Sequence, residues 1–416
     1  MKTHTQGPEN NLDIAVEIQR LTGTARILNV RQNDLTARAR AAAETAKVNA
    51  AAVDAEARFP SEAFAEIRKQ RLLGIQIPAA LDGEGASIAE IADVCYILGQ
   101  ACSSTALIYA MHQIKMACIV RHLKSSGGLE RILRRIASEQ LLMASSTTEG
   151  QAGGNVRSSE AAVEHDGAQV TLERKATVIS YAIEADGIVT TARRAADAAG
   201  SDQVLLVLLK SDYTLERLQA WDTLGMRGTH SEGFTLRARA AADQIMPEPY
   251  DRIHAQTMVP FAHLLWGSVW AGIAAAAAGK AQAFIRHAVR QSNGQMPPGA
   301  AHFTQAVSSL RTLRGVLAAN LRSYEGIMSD EKAIASMEFQ AMITLTKVQA
   351  SELAVTTVLS ALRACGLSGY RNDTEFTIGR LLRDILSAPL MINNDRILTN
   401  LATTSLMTPL PTSISG

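Results

Sequence analysis

Three titratable side chains stand where proton transfer is chemically possible: His112, His263 and Asp395. An imidazole or carboxylate moves a proton when its pKa suits the task and it lies within hydrogen-bond reach of the reacting atom. His112 interrupts, with Gln113 and Lys115, the otherwise apolar run TALIYAMHQIKMACIVRHL. His263 is the only ionisable residue between Phe261 and Gly279, and Asp395 heads the helical pattern NNDRILTNLATTSL. Each has a structural alternative. A histidine among apolar neighbours can be a satisfied core residue, and an aspartate at a helix start can bind free backbone donors. Metal and thiol chemistry are not expected. Cys95, Cys102, Cys118 and Cys365 form no C-x-x-C pair and have no histidine at zinc-ligand spacing, so a reduced, metal-free interior is the default. Lysine plus arginine number 41 against 40 acids, with no long block of either sign. That balance offers no grip on nucleic acid or an anionic membrane and points to a small-molecule substrate.

The elements that must position these residues follow from texture. A chain of 416 residues, 47% apolar, can bury a sizeable core in two or three units. Residues 35–58 are alanine-rich and predict a first long helix, which Phe59-Pro60 breaks; Ser61 then offers a cap to a second. Ser87 and Glu90 form a capping-box pattern ahead of Ile91, Val94, Cys95 and Leu98 at helical spacing. From about residue 144 short runs of Gly, Ser, Thr and Val replace the helix formers. Within them Asp166-Gly167 signals a tight hairpin and 204–209 a buried strand, and Pro247 and Pro249 close the segment. Helical texture returns after Met258, with helices expected over 262–291, 301–328, 332–364 and 396–407.

The expected fold class is therefore α+β, mainly α. A flexible tail (1–30) precedes an N-terminal helical domain (31–143), a central β domain (144–249), a C-terminal helical bundle (250–408) and a short tail (409–416). The apolar stretch 261–279 is mostly alanine and glycine, which gain little in lipid, so a buried helix is expected there. MKTHTQGPENN lacks the apolar run of a secretory signal, and the expected location is cytoplasmic.

Several local signatures fall in this α-β-α order: LLGIQIPAALDGEG (72–85), Thr148-Glu149-Gly150-Gln151-Ala152-Gly153-Gly154-Asn155, KATVISYAIEAD (175–186), WDTLGMRGTHS (221–231), Cys365 to Tyr370 and IGRLLRD (378–384). Together the chain resembles the FAD-dependent acyl-CoA dehydrogenase superfamily over nearly its whole length. The resemblance implies a C-terminal four-helix bundle, with flavin between it and the β domain. It implies that Thr148 and the Gly153-Gly154 turn bond the isoalloxazine edge and line the acyl-thioester channel, small residues allowing close backbone approach. Ser180 takes the place of a threonine that bonds the flavin. Arg227 and Ser231 match a loop the family uses largely for structure. Arg290 stands where a family arginine reaches the FAD pyrophosphate of a neighbouring subunit, a task suited to guanidinium. Arg363 replaces a family glutamine. Asn394 stands at a position where a family threonine touches FAD, with Arg396 two residues on.

The chemistry departs from the resemblance. Both positions at which the family keeps its catalytic glutamate are apolar here, Ile392 and Ala262. A relocated base is then required, and His263, Asp395 and His112 are the candidates. The histidines of the family's oxygen-using branch would fall at about Leu386 and Met391, so that signature is missing too. The first expectation is an FAD-dependent oxidoreductase that oxidises an acyl thioester, bound to CoA or a carrier protein, at its α,β carbons. The alternatives are a two-component flavin monooxygenase and a flavin-fold binding protein. The implied partners are an electron-transfer flavoprotein, an acyl carrier protein or a flavin reductase, and the implied assembly is a homodimer or homotetramer.

Overall fold

The computed structural model describes residues 34–124, 126–149, 157–407 and 413. Helix α1 (34–55) buries Leu35, Ala39, Ala42, Ala46, Ala50 and Val53, the three- and four-residue spacing of one helical face. Helix α2 (Ser61–Lys69) starts differently from the expectation. Pro60 occupies its cap and Ser61 is already inside the helix, with no side-chain cap bond. Helix α3 (Ile88–Ala101) carries the expected capping box: Ser87 Oγ accepts from Glu90 N and the Glu90 carboxylate accepts from Ser87 N. Helix α4 (Ser103–His122) is buried nearly all round, whereas α5 (Gly127–Glu139) shows a single buried face.

The β segment forms two sheets. Strands β1 (Met143–Ser146), β4 (Gly187–Arg193) and β5 (Gln203–Leu209) make one, with β1 parallel to β4 and β4 antiparallel to β5. Strands β2 (Glu164–Asp166), β3 (Gln169–Ile179), β7 (Glu232–Ala241) and β6 (Tyr213–Gln219) make the other, antiparallel throughout in the order β2-β3-β7-β6. Asp166 pairs with Gln169, so the predicted hairpin turns on Gly167-Ala168. The apolar run 204–209 is the buried strand β5.

A continuous helical rod follows: α6 (Tyr250–Ile253), a π-helical turn (His254–Met258) and α7 (Val259–Gln291). It is long and apolar enough to cross a membrane, but 89% of its most apolar window is buried inside the protein. Helices α8 (Ala300–Ile327) and α10 (Met337–Cys365) pack against α7. The helix expected over 332–364 is split. A short α9 (Glu331–Ala335) ends at Ser336, whose extended backbone and hydroxyl, accepting from Phe339 N, start α10 afresh. Short helices α11 (Leu367–Tyr370), α12 (Gly379–Ile385) and α13 (Ser387–Leu390) lead to α14 (Asn394–Met407), which packs on α10.

Two contacts bind the helical units to each other and to the β segment. Helix α3 crosses α7 backbone to backbone at Gly99 and Gly272; a Cβ on Gly99 would lie 2.6 Å from Val269 O, and one on Gly272 would overlap Tyr96 O. At the second, buried Asp384 accepts a 2.7 Å bond from Met226 N, and Arg383 donates to Asp54 of α1 and to Leu224 O. Gly225 sits against the Arg383 carbonyl with no room for a side chain. The IGRLLRD segment thus pins α12, α1 and the β6–β7 loop together.

Candidate active site at the three-way junction

Helix α4, the π turn with α7, and strands β1 and β3 converge on a buried, nitrogen-rich junction. The three proton-transfer candidates fare differently there. His112 is fully buried with both ring nitrogens spent on backbone: Nδ1 accepts from Met143 N at 3.0 Å, so Nε2 must donate to Leu73 O at 2.9 Å. Burial lowers its pKa to about 4. The ring ties α4 to the start of β1 and has no lone pair left for a substrate.

His263 is buried as well, but with one nitrogen in reserve. Its Nδ1 lies 2.9 Å from Ile343 O, and because a carbonyl only accepts, Nδ1 carries the hydrogen and Nε2 the lone pair. Nε2 hydrogen-bonds no described residue. Burial, and then the neighbouring Lys347 ammonium, lower its pKa to about 4, so the ring is neutral near pH 7. Asp395 is solvent-exposed in the first turn of α14. The cap there is Asn393, whose Oδ1 accepts from Asp395 N at 2.8 Å.

The residues implied by the resemblance are also spread out. Thr148 is half-buried beyond the end of β1, with no side-chain hydrogen bond to a described residue. Gly153 and Gly154 lie outside the described residues. Ser180 is buried, its hydroxyl 2.8 Å from that of Ser231, which lies 2.8 Å from Thr229 Oγ1. Asn394 is saturated by protein: Oδ1 accepts from Lys347 Nζ at 2.7 Å, and Nδ2 donates to Ser351 Oγ and Glu352 Oε1. Arg290 and Arg363 are exposed, without a hydrogen bond to a described residue, and Arg396 is exposed on α14. No hydrogen bond joins Thr148, Ser180 and Asn394 to one another.

Other groups, unassigned by sequence reasoning, are buried or half-buried on α4, the π turn, α10 and β3. Lys115 of α4 is buried, and its one hydrogen bond among the described residues is to Met258 Sδ at 3.5 Å. Burial, with Arg174 nearby, lowers its pKa to about 8. His254, in the π turn, has a pKa lowered to about 4 by burial and then by the positive influence of Arg157, His263 and Lys115. Lys347 Nζ lies 5.8 Å from the Trp270 ring centre. Arg174 is buried beside Glu149, Nη1 to Oε1 3.2 Å, and donates to Thr191 Oγ1 at 3.0 Å. The break in the apolar pattern of α4 was the signal for Lys115. His254 and Lys347 had none, because they meet the site only through the packing of α10 and the π turn.

Orphaned polar atoms test whether this junction suits a flavin. Ser146 Oγ at the end of β1 and the indole nitrogens of Trp266 and Trp270 on α7 are buried without a partner among the described residues. Buried polar atoms without partners are uncommon in folded proteins, and a bound group that completes the hydrogen bonding is one explanation of them. Hydroxyl and indole donors fit the ring nitrogens and carbonyl oxygens of an isoalloxazine.

Residues 30–140 match the acyl-CoA dehydrogenase N-terminal domain. This match, together with the relatives that follow, supports membership of the acyl-CoA dehydrogenase superfamily. Its curated relatives include the probable acyl-CoA dehydrogenase YngJ of Bacillus subtilis, 24% identical over 80% of this chain and 86% of that protein. The cyclohex-1-ene-1-carbonyl-CoA dehydrogenase of Geobacter metallireducens is 25% identical over the same shares. Among solved structures, the FMN-bound dibenzothiophene monooxygenase TdsC of Paenibacillus sp. A11-2 superposes with a TM-score of 0.80 at 16% identity, over 91% of this chain and 98% of that one. That last likeness is one of fold.

Proposed function

We propose that the protein is an FAD-dependent oxidoreductase that removes a proton from the α carbon of an acyl thioester with His263 as the base. The observation that carries this reading is the fixed tautomer of His263. Its Nδ1–H is held by Ile343 O, which leaves on Nε2 a lone pair that hydrogen-bonds no described residue. Of the three candidates, His112 has no free nitrogen and Asp395 faces solvent. When His263 takes the proton, the Ile343 carbonyl supports the charge that forms on the ring. Burial keeps water from competing for the proton. Bound FAD would supply the acceptor for the hydride leaving the β carbon. Ser146, Thr148 and Ser180 are the residues that would hold its ring, and exposed Arg290 would serve a neighbouring subunit's pyrophosphate in a homodimer or homotetramer. An acyl carrier protein would deliver a carrier-bound substrate, and an electron-transfer flavoprotein would reoxidise the enzyme.

The test is anaerobic bleaching of the protein-bound flavin by a panel of acyl-CoA and acyl-carrier thioesters. Bleaching is expected, with His263→Asn binding flavin equally and slowing the reaction by roughly a hundredfold or more. An unchanged rate in that variant removes His263 as the base, and no bleaching by any thioester removes the reading. One observation favours a second reading, hydroxylation with reduced flavin from a separate reductase. Burial and positive neighbours, not an aspartate or glutamate, set the pKa values of Lys115, His254 and His263. Oxygen uptake coupled to a hydroxylated product in the presence of supplied reduced flavin would select it.

A further inference from the structure

Lys115 presents a problem that the proposed proton transfer does not use. Lys115 is 1% exposed, and among the described residues the only hydrogen-bond partner of its ammonium is the thioether of Met258 at 3.5 Å. A second strong donor is aimed at the same sulfur: the hydroxyl of buried Tyr250 donates to Met258 Sδ at 3.0 Å. A thioether is a weak acceptor, and a buried ammonium normally faces a carboxylate or several oxygens. His254 stands beside the pair, its ring 5.6 Å from that of Tyr250, and its nitrogens hydrogen-bond no described residue. The π turn makes the convergence. It brings Tyr250, His254 and Met258 round to α4, and π turns inside α-helices recur at functional sites.

We infer that Lys115, Tyr250 and His254 form a subsite for a carboxylate carried on the acyl chain of the substrate. Met258 is half-buried and unbranched, so it fills the space and can rotate aside for a better acceptor. One carboxylate oxygen would accept from Lys115 and the other from Tyr250, with His254 at the rim. A carboxylate suits the subsite better than a phosphate because a single unpaired ammonium balances a single negative charge; the nearby Arg174 is already matched by Glu149. His254 and His263 lie on one continuous helical rod, and α4, which carries Lys115, packs against it, so the subsite adjoins the proposed base. The inference rests on the reading that this junction receives an acyl thioester.

Calorimetry on the flavin-loaded protein tests it with glutaryl-CoA against butyryl-CoA, which differ by a terminal carboxylate. The expected preference for glutaryl-CoA is about tenfold or more, the scale of one charge-assisted hydrogen bond. Lys115→Met should abolish that preference, Tyr250→Phe should reduce it, and Met258→Leu should keep it. Equal binding of the two thioesters by the unaltered protein overturns the inference, as does a preference that survives in Lys115→Met. If Lys115→Met does not fold, the Tyr250→Phe ratio decides, an unchanged ratio counting against the subsite. If neither thioester binds, free glutarate against neutral glutaramide separates the two ideas. Glutarate bound by the unaltered protein and lost in Lys115→Met upholds the anion subsite while refuting the thioester reading. Glutarate left unbound refutes the subsite.

Discussion

Acidification from pH 7 to pH 5 is expected to remove about 4 kcal/mol of folding stability through two imidazoles, His112 and His263. Burial is the main cause for both, lowering each pKa from 6.5 to about 4 in the folded chain. The unfolded chain therefore takes up these protons first as the pH falls. The stabilisation is complete above 6.5 and is lost progressively on the way down to about 4. Since pH 5 lies about one and a half pH units below 6.5, each ring contributes about 2 kcal/mol to the loss. That is a large share of the ~5–15 kcal/mol by which a folded protein is stable. Buried Asp384 acts in the opposite sense, because its pKa is raised, by burial first, and its protonation favours the folded state at low pH. Its effect, and those of His122 and His254, whose pKa values burial likewise lowers to about 4, are common to all the variants compared below. Urea unfolding at pH 7 and pH 5 should be measured for the unaltered protein, His112→Gln and His263→Gln, whose amides donate and accept but do not ionise. Each variant should be less stable at pH 7, yet lose about 2 kcal/mol less between the two pH values. Equal losses in all three proteins would refute the reasoning, because they would mean that the two rings are not held neutral by the fold.

Other expected outcomes concern the fold around the site. Gly225→Ala should cost about 1–3 kcal/mol in unfolding experiments, because the added Cβ overlaps the carbonyl of Arg383 at the junction of α12 and the β6–β7 loop. Ser87→Ala should cost about 1 kcal/mol by thermal unfolding, through loss of the bond from Glu90 N at the start of α3. The His263→Asn and Lys115→Met measurements described above test the proton acceptor and the carboxylate subsite separately.

The amino-acid sequence by itself determined much of the architecture, because local preferences and burial agree wherever a pattern is long. Alanine-rich periodicity sets α1, the Ser87–Glu90 box starts α3, and the unbroken apolar run 204–209 is the buried strand β5. Expectations that hung on one residue fared differently. Ser61 does not cap α2, since Pro60 already ends the preceding loop, and Ser336 splits a helix that reads as continuous. The family signatures were legible as well, although their spacing does not tell what each residue touches. The IGRLLRD segment proves to be a junction of α12, α1 and the β6–β7 loop, and Asn394 is consumed by Lys347, Ser351 and Glu352. Only the tertiary structure showed how differently the three proton-transfer candidates are surrounded. His112 and His263 look alike in sequence, each an imidazole within an apolar stretch of helix. Their partners come from segments 31 to 80 positions away, two backbone groups for one ring and a single carbonyl for the other. Whether a histidine keeps a lone pair depends on which distant backbone groups the fold turns toward it. For the same reason Lys115 stood out only as a break in an apolar face until packing set Tyr250 and Met258 against it.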